Sequence, residues 1–274
     1  MKRTTSIVVP GMVLGMLLPL ASAPGWAGGE KPPGWRPFIP PEAYQELRKR
    51  SLARIAELAK TDETIKDLRG EALMLAGYTM STKDAQSAAG LRQQAIKIAS
   101  LASEKAGAEE ARKLAAELAT GKGTNGKKTG PAPDWKAIIG DIGDAMNPLA
   151  TKAKGGEGIH ADLQYNAKVK NQNGIEALII ALSGKKLSDA NLGKMSKELE
   201  LLGYRVATLG ALTLRRGPGK KNRDDVKQWD EQSIVMRDSS IDLAHAARKK
   251  DAATVFSASA KLVNSCVECH SNFK

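Results

Sequence analysis

Leu192, Met195, Leu199, Leu202, Val206, Leu209 and Leu212 recur at steps of three and four along one stretch of the chain. Such steps match the 3.6-residue turn of an α-helix and bring all seven side chains to one face; the two-residue alternation of a strand scatters them. A stripe this long has to be covered by other helices. The same period runs through Ile65, Leu68, Ala72, Leu75 and Thr79, through Leu91, Ala95, Ile98 and Ala102, and through Ile175, Leu178, Ile179 and Leu182. Trp135, Ile138, Ile142, Met146 and Leu149 read as a further helical face, ended or bent by Pro148. Aromatic residues make up only 4% of the 274, which argues against a sandwich or barrel. The 42% hydrophobic content is enough for a packed core, so the expected class is all-α.

The spacing of the periodic segments predicts two antiparallel helical bundles in tandem. Residues 42–120 hold about four amphipathic helices, with outer segments near 42–60 and 108–120. Residues 121–134 include the Gly- and Lys-rich run GKGTNGKKTGPAP, which has no periodicity and reads as a linker. Residues 135–274 hold the second series, closed by helices over 224–249 and 252–273 with a turn at Lys249–Asp251. Short turns between long helices imply antiparallel neighbours. The segments LRGEALMLAG (68–77) and LLGYRVATLG (201–210) share two glycines seven residues apart, Gly70 and Gly77 in one and Gly203 and Gly210 in the other. The pattern of a diverged repeat follows.

The N-terminus carries an address. Met1-Lys2-Arg3 precedes an apolar run from Ile7 to Ala21, broken by Pro10, Gly11 and Pro19. The run is too short and too interrupted to span a bilayer, and it fits a secretory signal peptide over 1–27 with cleavage after Ala27. Residues 28–41, with Pro32, Pro33, Pro37, Pro40 and Pro41, read as an extended lead-in. The expectation is export to the periplasm or beyond, without stable membrane insertion.

Cys266-x-x-Cys269-His270 lies in the last ten residues, on a helix. Positions i, i+3 and i+4 of a helix share one side, so two thiols can form thioethers with the two vinyl groups of one haem while the adjacent imidazole reaches the iron. Three other readings compete. A redox dithiol normally opens a helix after a strand, and here the motif closes a helix. A zinc site needs a fourth ligand, and only His160 and His245 remain. A plain disulfide leaves His270 without a role.

The position of the motif at the end of an Ala-rich last helix, followed by CHxxFK, resembles the cytochrome c-prime class of four-helix-bundle cytochromes. The resemblance covers about residues 135–274, and the chain departs from it by an extra bundle in front and an extra helical segment before the long stripe. It implies one covalent haem c held in the bundle, with Cys266 and Cys269 as thioethers and His270 as the proximal iron ligand. It sets Lys274 beside the proximal imidazole and Met146 where the distal residue sits. A thioether at Met146 would bind iron and raise its potential; the other reading of a Met at helical spacing is core packing.

The turn near residue 250 sets Cys266–Cys269 level with about 232–235, beside Ile234, Val235 and Met236. It leaves His245 roughly ten residues, or about 15 Å, off that level. One redox group with no evident substrate pocket favours an electron carrier over an enzyme. An open sixth iron position that takes NO or CO is the alternative. The net charge of +12 favours an acidic redox partner, and Arg215, Arg216, Lys220, Lys221 and Arg223 form either a docking patch or a solvated basic loop. Few aromatics and no recognition motif argue against nucleic acid. Oligomerisation is left open.

Overall fold

The computed structural model describes residues 37–60, 65–83, 88–121, 134–150, 174–219 and 222–273. The expected signal peptide (1–27), most of the lead-in (28–41) and the body of the linker (121–134) lie outside the described residues, as do His160, Lys220, Lys221 and Lys274.

Among the described residues the chain is all-helical: α1 (Pro41–Leu58), α2 (Ile65–Ser81), α3 (Ala89–Leu101), α4 (Ala108–Ala119), α5 (Trp135–Ile139), α6 (Ile142–Met146), α7 (Ile175–Gly184), α8 (Asp189–Arg216), α9 (Arg223–Lys249) and α10 (Ala252–Phe273). An isolated bridge pairs Ile39 with Thr82. Beside it the amides of Phe38 and Ile39 both donate to the Ser81 carbonyl at 3.0 Å. None of the described helices is long and apolar enough to cross a membrane.

The long helices start and stop where their side chains can serve the orphan backbone groups of the end turns. The Ser188 hydroxyl accepts from the Asn191 amide to begin α8. Asn222 and Asp225 form a capping box at the start of α9. Lys250, at φ 58°, closes α9 in the left-handed region. Asp251 then accepts from the amides of Ala253 and Thr254 at 3.1 Å, which starts α10 at once and folds it back antiparallel on α9.

Helices α1 to α4 pack in chain order, with α4 returning to α1. Helices α8, α9 and α10 also pack in order, and α7 packs on α10. The two groups share one apolar core, because α2 packs directly on α8. Every residue of α2 from Leu68 to Ser81 is buried, and so is every residue of α8 from Leu199 to Thr213. Their contact is close: a Cβ on Gly77 would lie 2.4 Å from Thr208 Cγ2.

Within this apolar contact sits an ion pair. Arg205 Nη2 on α8 donates to Glu71 Oε2 on α2 at 2.8 Å, with both side chains almost fully enclosed. The Ser51 hydroxyl of α1 donates to the other Glu71 oxygen. At the rim, Arg50 of α1 makes a bidentate pair with Glu198 of α8 at 2.6 and 2.8 Å.

Two expectations change. Residues 135–149 do not form one helix. Gly140 takes φ 54° and ψ −110°, a conformation open to glycine, and separates α5 from α6. Asp134 and Asp141 cap the two pieces separately. The broken segment packs on α2 as well as α8: Arg69 Nη2 donates to the carbonyls of Ile138 (3.1 Å) and Ile139 (3.0 Å), and the Asn147 side-chain amide donates to Asp67. Second, the matched glycines do different work. A Cβ on Gly203 or Gly210 would meet α9, at Ser240 O (2.7 Å) and Arg237 N (2.8 Å), whereas Gly77 faces α8.

Removing one member of the buried pair leaves the other charge uncompensated. Arg205→Ala should therefore cost about 3–5 kcal/mol in urea unfolding. Arg50→Ala, at the partly exposed rim, should cost about 1 kcal/mol or less.

Candidate functional site

The buried stripe of α10 runs through Val255, Ala258, Ser259, Leu262 and Ser265, against α9 and α7. Continued at steps of three and four, it leads to Cys266, Cys269 and Phe273. Cys266 packs on the edge of the core, Cys266 and Cys269 are both half-buried, and His270 is exposed. Next to the thiols Val267, 58% exposed, offers an uncovered apolar side chain. His270 has no hydrogen bond or ion pair among the described residues.

Register follows from the two-residue turn. Gln232 Nε2 on α9 donates to Glu268 Oε2 at 2.6 Å. The rings of Trp229 and Phe273 meet edge to face, 5.1 Å apart at 85°. These contacts set Cys266–Cys269 at the level of about 232–235, as the turn position predicts. Of the three apolar residues expected there, Met236 is buried while Ile234 and Val235 are exposed at 38% and 40%. On the other flank α7 runs antiparallel to α10, with Glu176 near Cys266 and Lys186 near Asp251.

Burial pushes the Cys266 thiol up to about 11, helped by the negative charge of Glu176 and by the neighbouring, competing thiol of Cys269. Burial also raises Cys269. Both stay protonated at neutral pH. A redox-active dithiol needs the opposite, a thiolate favoured by a helix N-terminus or a nearby cation. Here the thiols sit at a helix C-terminus, whose carbonyls disfavour negative charge. Neither is in a disulfide. Among the described residues no group of three or more His, Cys, Asp or Glu gathers as a metal site. Two protonated thiols one turn apart, beside an uncommitted imidazole and an uncovered valine, fit the chemistry that covalent haem requires.

Met146 ends α6 and is partly buried against the core. Its helix packs on α2, α5 and α8, while the principal neighbours of α10 are α9 and α7. His245 is half-buried on α9, its ring edge-on to Tyr204 with centroids 6.2 Å apart. Burial, followed by Arg248, holds it below the usual histidine range.

The basic run splits. Arg215 lies over the Trp135 ring at 5.7 Å, and burial together with Arg92 lowers it to about 10. Arg216 donates to the carbonyls of Gly140 (3.0 Å) and Gly217 (2.9 Å), and its guanidinium lies 5.7 Å from the Trp229 ring centre. Arg223 is exposed and flanked by Asp224 and Asp225. Two of the five cations are thus spent on helix packing.

Periodicity did not single out Trp229. The signal was present all the same: counting back from the turn at 250 sets Trp229 opposite the CHxxF end of α10. Neither a protein-family model, nor a curated protein, nor a solved structure matches this chain.

The thiol environment has a direct consequence for haem-free protein. At pH 8 Cys266 should hold about a hundredfold less thiolate than an ordinary thiol. Greater intrinsic nucleophilicity returns part of that loss, so its alkylation by iodoacetamide should run about tenfold slower folded than in denaturant. Mass mapping of the labelled C-terminal peptide reads both rates.

Proposed function

We propose that this chain is an exported monohaem c-type cytochrome that carries single electrons. Cys266 and Cys269 hold one haem c by thioethers, and His270 is the proximal iron ligand. In this reading α7 to α10 form a cytochrome c-prime-like bundle within residues 135–274, and residues 42–120 form a haem-free bundle in front of it. The observation that carries the reading is the pair of half-buried thiols one turn apart, in no disulfide, with an exposed imidazole at the next position that has no partner among the described residues.

The bound group would supply a one-electron iron couple. The protein supplies the rest. Cys266 and Cys269 keep their protons, and addition of S–H across a vinyl group uses both sulfur and hydrogen without an oxidant. Their half-buried position ties the attachment point to the core edge. His270 offers a ring nitrogen from the same side of the helix. Gln232 and Trp229 hold the last turn against α9. The net charge of +12 favours an acidic partner protein, which it would draw in before docking.

A second reading, binding of NO or CO at an exchangeable sixth position, is favoured by the packing of Met146. Its helix sits on α2 and α8, so we assign Met146 to packing. Electron transfer at the haem edge is compatible with an open site.

Expression in a host competent for cytochrome c maturation tests the proposal. The protein should be coloured and should keep its colour through acid–acetone extraction; Cys266→Ala with Cys269→Ala should be colourless. Colourless wild-type protein would reject the haem reading. The ferric spectrum should be high-spin, and the ferrous protein should bind CO at once. Met146→Ala should leave both unchanged and cost less than the about 2–5 kcal/mol of a fully buried methionine. A low-spin spectrum that Met146→Ala converts to high-spin would make Met146 the ligand.

A further inference from the structure

We infer that Trp229 and Gln232 of α9 are positioning residues for the His270 imidazole, acting through a clamp on the last turn of α10. The inference rests on the haem reading and adds to it residues outside the attachment motif.

The last turn of a helix has carbonyls without helical partners and frays first. His270 lies in the last turn of α10, which ends at Phe273. Among the described residues the polar side chains after it bond back within α10: Ser271 donates to the Val267 carbonyl and Asn272 to the Glu268 carbonyl, both at 2.8 Å. Cross-helix ties come instead from α9. Gln232 binds Glu268, two residues before His270, and Trp229 meets Phe273, three residues after it. The ligand position is therefore held from both sides.

Trp229 is itself fixed on three sides. Its ring is almost fully buried. Its Nε1 donates to the Thr213 carbonyl of α8 at 2.8 Å. The Arg216 guanidinium covers it and is anchored in turn on Gly140 and Gly217. A ring held this firmly transmits position rather than yielding to Phe273. The indole is thus the fixed point against which the last turn of α10 is set.

The test uses full-length, haem-loaded protein and resonance Raman of the ferrous state, which reads the iron–histidine stretch. Trp229→Leu and Phe273→Ala should keep both thioethers and native helix content, and should shift and broaden that band. Trp229→Phe, which keeps an aromatic edge for Phe273, should restore it towards the wild-type position. Bands identical to wild type in both Trp229→Leu and Phe273→Ala would overturn the inference while leaving the haem reading intact. If Trp229→Leu fails to fold, Phe273→Ala decides alone, because Phe273 is only partly buried at the end of α10. A second arm needs no haem. In the Cys266→Ser, Cys269→Ser protein, adding Trp229→Leu should speed amide exchange over residues 268–273 by about twofold to tenfold; unchanged exchange would overturn the clamp. Colourless wild-type protein would overturn the haem reading and this inference with it.

Discussion

The buried pair between Glu71 and Arg205 is the constraint on which the rest of the arrangement depends. Two charges withdrawn from water are tolerated only when each faces the other in good geometry. That requirement fixes how α2 and α8 cross, and Gly77 allows the crossing by leaving room for Thr208. Once the crossing is set, Arg69 holds the end of α5 on α2, and Arg216 holds the Gly140 turn on the end of α8. Arg216 also covers Trp229, which abuts Phe273. A continuous series of contacts thus joins the centre of the molecule to the last turn of α10.

The candidate site draws its character from lying at a helix end. A helix C-terminus disfavours thiolates and favours a cation or a neutral donor. Burial is what chiefly raises Cys266 and Cys269, and the dipole of the helix end acts in the same direction while remaining compatible with an imidazole at position 270. The exposed ring of His270 lies on the next residue of the same turn. Chemistry that needs thiolates is poorly served by this end of α10. Chemistry that needs thiols and a nitrogen donor is well served.

Much of the fold was legible in the sequence because helical periodicity reports burial directly. The stripe from Leu192 to Leu212 became α8, and the turn at Lys250 set the α9–α10 register. Segment 135–149 misled, because its apolar spacing continues through Gly140 while its backbone does not. Periodicity records which side chains are apolar; it does not record a positive φ. The role of Gly77 was equally hidden. Its spacing matched Gly203 and Gly210, yet one glycine admits α8 and the others admit α9, a difference that depends on long-range packing. At the site, the residue types and spacing of Cys266, Cys269 and His270 were plain. Their surroundings were not: Glu176, Trp229 and Gln232 come from other helices, and the inward turn of Arg215 and Arg216 depends on Trp135, Gly140 and Trp229.

The enclosure of α2 on all sides bears on the order in which the molecule can assemble. A ribosome delivers α1 to α4 well before α8 exists. Until then the flank of α2 around Gly77, and the carboxylate of Glu71, have no Arg205 and no Thr208 to meet. The early chain can collapse around α1, α3 and α4, but its central helix stays bare along one side. Completion waits for a segment more than a hundred residues downstream, so the first half of the chain is born dependent on the second. A chain threaded through a membrane pore would carry the same debt across, and would settle it only after α8 had followed.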